Sequence, residues 1–586
     1  MSDGAVWMNL WIEGRDALAP RLRDLRVDER LGRPTRAELE FTFDEDVWVD
    51  PSELLGVTVE VGWGDGQDEH HAAGVLMEVE GRRDADGAQR FVAAMVHRFG
   101  LLDRGRTCRV FVDVTLEDVL HRVLRERGWS EGVDYRIEFG EQRTPRPLLV
   151  QYHESDMAFL DRVLAEQGGG YRFDISEERE PVIFIDGSSE APRVVDRAIS
   201  MASQVGAGLD DDQGVIESAT RSHRSRLQEV RRRDHRFESP LDPVEAADAV
   251  DVPGSMGTDF LYIDEGLSSE EVARLAGRRL DAAHADGEVC MFKTMAPSLV
   301  AGGLFDVEDH RHGGDYSGGY LAIAVEHRVV ATRFGEAGGG DDRVASYRNV
   351  CEAVPIERKM GFPWGATSGD AGPRIHGVQT AVVVGDRDGE LNVDRFGRVQ
   401  VRFRWQTEGE EHPAPWVRIA HPWAGRGHGM IALPRVGHEV LLAFVDGDPD
   451  RPVVVGSLFN GESLVPETLP DEASRMVIRS QSLGGDRSLY NELHLDDRTG
   501  DERLYLRAAR DLLVEVLQDA TSLVERDARV EVKGARSATV GKDELVEARG
   551  IELVAENGIT LRCGGSTIEI SPTGITIKGT VIRLNC

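Results

Sequence analysis

"EVLQDATSLVERDARVEVKGARSATVGKDELVEARG" occupies residues 515–550, and one side chain in it returns on a fixed beat. Val516, Val524, Val532 and Val540 stand eight residues apart. Asp511, Asp519, Asp527 and Asp543 keep the same spacing, with Ala535 the single gap. An even period keeps all four valines on one face of an extended chain, because successive side chains of a strand alternate. A helix fits the beat badly, since eight residues advance about 800° and leave each valine ~80° off register from the last. Between the valines stand Asp, Glu, Arg, Lys, Ser and Thr, too polar for a sandwich core. One narrow apolar row cannot close a core within a single chain. Three chains wound about a common axis do close one: each lends its valine row to a slim triangular interior, and open strand edges pair with neighbours. Gly534 and Gly541 fall where such a prism turns its corners. The octad therefore predicts an intertwined trimeric β-prism with Val516, Val524, Val532 and Val540 as its core. A stack of unrelated short strands is the alternative.

After Gly550 the rhythm changes to alternating pairs, Ile559 and Leu561, Ile568 and Ile570, Ile575 and Ile577, Ile582 and Leu584, separated by Gly or Pro. The last layer of a rod leaves apolar side chains uncovered. Ile575, Ile577, Ile582, Leu584 and the terminal Cys586 are thus the expected docking surface for a cap or partner.

The bulk numbers bound the rest. At 586 residues the chain exceeds the size of one core, so several domains are expected. A net charge of −35 opposes binding to nucleic acid or to anionic membrane. Five scattered cysteines, Cys108, Cys290, Cys351, Cys563 and Cys586, form no CxxC and argue against a disulfide framework or a cysteine zinc cage. No basic, apolar leader opens the sequence and no run of 18 apolar residues interrupts it, so neither a signal peptide nor a membrane span is expected, and synthesis and folding are placed in the cytoplasm.

Upstream, residues 5–100 read as strands. Three amphipathic helices follow: one capped by Thr115 with Asp118 three residues on, one capped by Ser155, and one opened by the capping box Ser268 to Glu271. "GEAGGGDDR" (335–343) and "GATSGDAGPRIHG" (365–377) are Gly-rich seams. "TAVVVG", "GRVQVRFRW" and "EVLLAFVDG" read as strands of a small barrel. The expected domains are 1–370, a barrel at 376–461, a proline-bearing linker at 462–476 and the rod at 477–586.

"DRFGRVQVRFRWQTEG" (394–409), "PWVRIAHPWAGRGHGMIALPRVGHEVLLAFVDGDPDRPVVVGSLFNG" (415–461) and the closing "ITIKGTVIRLNC" resemble the VgrG spike proteins of type VI secretion systems. A looser match covers "VQYHESDMAFLDRVLAEQGGGYRF" (150–173), "DVEDHRHGGDYSGGYLAIAVEH" (306–327) and "SYRNVCEAVPIERKMGFP" (346–363). The resemblance implies a mainly β, multidomain fold: a phage tail hub-like α+β domain, an OB-fold barrel and a triple-stranded β-helix. It also implies a homotrimeric spike that caps a tube of Hcp rings, binds a PAAR-repeat tip protein, contacts baseplate proteins, and carries effectors and their adaptors through a target envelope. Secretion through that apparatus needs no signal peptide. The neighbouring class is the spike of an extracellular contractile particle or phage-like baseplate; a more distant one is an envelope-degrading hydrolase.

Catalytic chemistry is sought and not found. His310, His312 and Asp315 offer His-x-His spacing but fall in a stretch that matches the hub. The adjacent His70 and His71 lack the i, i+4 pair of a zinc-protease helix. Ser255 lacks a GxSxG elbow, and "GEAGGGDDR" has no GK[ST]. The sequence ends at Cys586, directly after the rod, so no toxin domain is expected there. No catalytic residue, metal ligand or cofactor is expected, and the protein reads as structural.

Overall fold

A computed structural model describes residues 6–583 apart from 16–17, 44–47, 66–67, 84–88, 141–142, 178, 187–190, 196, 202–214, 264–265, 286, 310–313, 332–344, 357–371, 407–413 and 485–487. The Gly-rich seam 335–343 and most of the seam 365–377 lie outside these residues. The chain divides into two compact units, Met1–Ala509 and Arg510–Cys586.

The first unit begins with strands whose apolar residues alternate, and they pair into one large sheet. Trp7–Ile12, Thr58–Gly64, Glu69–Arg83, Gln89–Val96, Arg33–Phe43 and Pro20–Arg30 follow one another across its first half. The second half closes on itself. Gly318–Ala331, Leu304–Glu308, Ile199–Met201, Val215–His223, Glu288–Thr294 and Ala345–Pro355 form a ring, because Gly318–Ala331 pairs with both Leu304–Glu308 and Ala345–Pro355. Gly318–Ala331 is also where the halves join. One of its edges follows Ala345–Pro355 along nearly its whole length, while the other is divided between Leu304–Glu308 and Pro20–Arg30. Each half has its own core, the first around Leu25, Phe41, Trp63 and Phe91, the second around Phe292, Phe305 and Tyr320.

Three α-helices are described, Leu116–Glu126 (α1), Asp156–Glu166 (α2) and Ser269–Ala285 (α3), and their starts follow the sequence signals. The Thr115 hydroxyl accepts from the Asp118 amide at 3.2 Å, and the Asp118 carboxylate accepts from the Thr115 amide at 2.9 Å. The Ser155 and Ser268 hydroxyls accept from the Ala158 and Glu271 amides at 3.1 and 3.2 Å. Such caps satisfy amides that the helix cannot, at about 1 kcal/mol each. After α1 and α2 the chain passes through Gly128 and Gly168 at φ +78° and +68°, where a side chain would be strained. The apolar stripes of α1 and α2 meet Phe99, Phe111, Tyr171 and Phe184 in a third core. Full burial is worth ~1.5–3 kcal/mol for each such large apolar side chain.

Five strands, Gln379–Val383, Val399–Phe403, Trp416–Ile419, Glu439–Phe444 and Pro452–Leu458, close the expected barrel. Its interior is built from Val383, Val399, Val401, Phe403, Val417, Val440, Leu442 and Val454, and Val110 of the preceding domain packs against it. The contact is pinned by polar bonds: the Val150 amide donates to Asp450 Oδ1 at 2.6 Å, and Gln379 Nε2 donates to the Tyr152 hydroxyl at 2.7 Å.

Beyond the barrel, Arg475–Arg479, Glu492–Asp496 and Arg503–Arg507 form an antiparallel meander. The linker before it is laced to the sheet rather than slack. Arg475 pairs with Asp496 at 2.9 Å and with Glu467 at 2.9 Å, and Arg479 bonds Glu467 and the Pro466 carbonyl.

The second unit is of another kind. From residue 510 to 558 no helix or strand is formed, and every residue is exposed. Bends fall at 517–518, 525–526, 533–534 and 541–542, so the backbone itself repeats every eight residues, turning just after each octad valine. Ile559–Cys563, Ser566–Ser571 and Gly574–Lys578 then form a second antiparallel meander.

His97 supplies a pH test of the first unit. It is buried, its Nδ1 accepts from the Phe99 amide at 3.2 Å, and its Nε2 lies 4.0 Å from the buried Glu180 carboxyl. Burial, with the neighbouring Arg98 charge adding to it, pushes the imidazole down from 6.5 to about 3. Unfolding therefore takes up a proton wherever the pH lies between these values, and His97 makes stability fall as pH drops from 6.5 towards 3. Its share of the slope is at most about 1.4 kcal/mol per pH unit. His97→Asn keeps an acceptor for Phe99 without the titration. Thermal melts from pH 7 to pH 4 are expected to show a shallower decline for the variant; parallel declines would assign the acid sensitivity elsewhere.

Candidate functional site

The C-terminal region presents three apolar surfaces that its own chain leaves uncovered. The first is the octad row. Val516, Val524, Val532 and Val540 are 49–53% exposed, and no other large apolar side chain of 511–558 is as covered. Leu517 and Leu523, next to them in sequence, are about 90% exposed. A bend follows each of these valines, so the row and the backbone share one period. Two residues before each valine runs a companion row that the sequence reading missed: Val514, Ser522, Val530 and Ala538, continued by Val546 and Val554. Alternation puts it on the same face. Its signal was the recurring pair "VEV", diluted by the Ser and Ala that break it.

The second and third surfaces are the meander sheets, and they share one design. In the tail, Ile559 stands opposite Ile570 and Ile570 opposite Ile575, while Leu561 stands opposite Ile568 and Ile568 opposite Ile577. All six therefore occupy one face; Thr560, Arg562, Thr567, Glu569, Thr576 and Lys578 occupy the other. In the upstream sheet Met476, Ile478, Leu493, Leu495, Leu504 and Leu506 line one face. The opposite face carries His494, with Glu492 and Asp496 buried under the Arg475 and Arg479 ion pairs. A two-faced sheet of three strands is stable only when its apolar side is covered. Ile575 and Ile577, expected in the last layers, stand on the final strand of a six-residue apolar face. Ile582 is half exposed, and Leu584 and Cys586 lie outside the described residues.

Backbone chemistry points the same way. Among the described residues, no backbone N–H or C=O of 510–558 bonds to the backbone of its own chain. Such groups need partners when they leave water.

Of the residues weighed for catalysis, Ser255 has its hydroxyl bound to the Val252 carbonyl at 2.7 Å within a turn, and His310 and His312 lie outside the described residues. His70 and His71 stand on a strand, pointing to opposite sides, and His70 is buried against Glu29 and His327. The expectation of no metal ligand did not foresee this grouping, whose members are separated by 41 and 257 positions in sequence. Burial works to raise the Glu29 carboxyl, but His70, hydrogen-bonded to it at 2.6 Å, and the nearby His327 outweigh it and hold Glu29 below the ordinary carboxylate range. Burial likewise pushes His327 below its ordinary 6.5.

Residues 28–332 match the phage tail baseplate hub (GPD) family, 379–459 the type VI secretion system/phage-baseplate injector OB domain, and 476–556 the bacteriophage T4 gp5 C-terminal trimerisation domain. The type VI secretion system spike protein VgrG4b of Pseudomonas aeruginosa is 32% identical over 471 residues, covering 78% of this chain and 56% of that protein. The actin cross-linking toxin VgrG1 of Vibrio cholerae is 26% identical over 519 residues, 81% of this chain and 45% of that protein. The chain thus spans about half the length of these relatives. An Escherichia coli component of the type VI secretion system, similar in structure to the T4 tail proteins gp27 and gp5, superposes with a TM-score of 0.53 at 19% identity, over 77% of this chain and 100% of that one. No helix among the described residues is long and apolar enough to cross a membrane. With its hub, its barrel and its trimerisation segment matched in order, the chain belongs to the phage tail baseplate hub family, and within it to the VgrG spike proteins of type VI secretion.

Proposed function

We propose that three copies of this chain assemble into the spike of a type VI secretion system. The observation that carries the reading is the tract 510–558, which has an eight-residue repeat, a valine row less exposed than its apolar neighbours and no backbone partner in its own chain. Three such tracts wound together hydrogen-bond edge to edge and enclose Val516, Val524, Val532 and Val540. The apolar face of each meander sheet meets its counterparts from the other two copies. Each chain carries a charge of −35, so the pairing must be complete enough to outweigh repulsion among three acidic bodies. In this reading the hub and barrel engage the Hcp tube and the baseplate. The layer holding Ile575, Ile577, Ile582, Leu584 and Cys586 receives a PAAR-type cone, and effectors with their adaptors ride on the assembly as it leaves the cell. The role is mechanical, and these residues carry no catalysis.

Light scattering on the purified chain is expected to give three times the monomer mass; a stable monomer with an ordered 475–586 segment would overturn the assembly.

Substitutions test the faces. Val532→Asp brings three carboxylates to the axis, where each loses solvation worth several kcal/mol, and is expected to abolish or severely weaken the trimer. Glu531→Ala removes an exposed pair with Arg529 at 2.8 Å, worth at most about 1 kcal/mol, and is expected to leave the trimer intact. Equal effects on trimer melting would mean that the faces are reversed.

Deletion of 574–586 removes the strand Gly574–Lys578 and everything after it. The octads remain, so the trimer is expected to persist while a PAAR partner is lost in pull-down; retention of the partner would place the docking site elsewhere.

A further inference from the structure

Glu29, His70 and His327 come from three strands, Pro20–Arg30, Glu69–Arg83 and Gly318–Ala331, and converge at one end of the first-half core. Their side chains are 5%, 0% and 0% exposed. One potential ligand atom of each lies within 4.8 Å of the other two. Glu29 Oε1 sits 2.6 Å from His70 Nε2 and 3.8 Å from His327 Nε2. Trp63 walls the cluster, its ring 4.3 Å from that of His70 and 5.1 Å from that of His327.

The hydrogen-bond inventory does not close around His327. Its Nδ1 is 2.7 Å from the Tyr347 hydroxyl, which accepts from Asn349 Nδ2 at 2.7 Å and lies 3.3 Å from the Ala296 carbonyl. If Tyr347 donates to Ala296, then His327 Nδ1 carries the proton, and a bare Nε2 lone pair faces the Glu29 carboxylate. If Tyr347 donates to His327 instead, an Nε2–H points at that carboxylate from too far to bond it. In either tautomer Nε2 is buried and without a hydrogen-bond partner, a condition that costs about 1–3 kcal/mol.

From this arrangement we propose that Glu29, His70 and His327 form a binding site for a divalent transition-metal ion of the zinc class. Two imidazole nitrogens and one carboxylate oxygen are a suitable donor set for it. At bond lengths of ~2.0–2.2 Å, ligand atoms stand about 3.3 Å apart around a tetrahedral ion. The 2.6 Å contact therefore opens, while the 3.8 Å contact and the remaining pair, within 4.8 Å, close, movements within reach of side-chain rotation. A water molecule takes the fourth position. The surroundings already resemble those of a metal centre. Tyr347 fixes the His327 ring through the nitrogen that does not bind metal, and the Ala301 amide holds Glu29 through Oε2 at 3.2 Å, leaving Oε1 for the ion. The ion would cross-link two strands of the first half to the strand that both halves share, and its role is to lock the hub. The alternative occupant is a proton shared between Glu29 and His70.

The test uses the untagged full-length protein purified without chelators. Plasma mass spectrometry is expected to find close to one zinc-class ion per chain. Protein expressed in cobalt-supplemented, zinc-depleted medium is expected to show the visible d–d bands of four- or five-coordinate cobalt. His327→Asn and Glu29→Gln are expected to lower the bound metal by about tenfold or more while circular dichroism and trimer mass stay unchanged. Should a variant misfold, the cobalt spectrum and metal content of the unsubstituted chain decide alone. A well-folded protein with only trace metal and no cobalt bands overturns the proposal and leaves the cluster as a proton-sharing core.

Discussion

A polypeptide that leaves water must hydrogen-bond its backbone, and this chain meets that demand in two ways. Within Met1–Ala509 the ladders are internal: strands pair with strands of the same chain, and helices start on Thr115, Ser155 and Ser268. From 510 to 558 the demand is left open, since the tract is extended, bent every eight residues and without backbone bonds to itself. The amphipathic sheets on either side of the tract follow from the same constraint. Each pairs its own backbone but lacks a second layer for its apolar face, so the chain carries locally formed sheets next to a segment that has nothing local to form.

What could be read from the sequence was whatever repeats or punctuates. The valine beat survives any amount of polar sequence between its members, because period alone sets the face. Helix caps are equally legible, since Thr115–Asp118 is a local bond between residues three apart. The barrel was legible through Gln379–Val383, Val399–Phe403 and Glu439–Phe444, whereas Trp416–Ile419, only four residues long, offers too little alternation to stand out. The six-residue tail face was half legible: the pairs were visible, but which pair lies opposite which depends on turns around Gly564 and Gly574. The Glu29–His70–His327 cluster was not legible at all. Its members are remote in sequence, and adjacent His70 and His71 read as a failed helical motif because nothing local says that a strand sends them to opposite sides.

Electrostatics divides along the same line. In the first unit, charges withdrawn from solvent are held in pairs, the partly buried Arg162 with Glu154 at 2.8 Å and Glu166 at 3.2 Å, and the buried Arg143 with Asp186 at 3.2 Å. Breaking such a pair leaves an uncompensated charge and is costly, which makes these contacts strong determinants of local geometry. In the octad tract the ion pairs, such as Arg529 with Glu531, are exposed and weak. Register there must come from the valine rows and from the bends, not from charge.

The strand Gly318–Ala331 has a mechanical meaning. It is bonded on one edge to Ala345–Pro355 and on the other first to Leu304–Glu308 and then to Pro20–Arg30, so the sheet forks along a single continuous backbone. A hinge between two halves of a domain normally lies in a loop, where a few dihedral angles absorb the rotation. Here no loop separates them at the junction. Any pivot of one half against the other must shear a ladder of hydrogen bonds in concert, and bonds loaded side by side share the force. A thrust applied to either half is therefore passed to the other through paired backbone rather than through a loop.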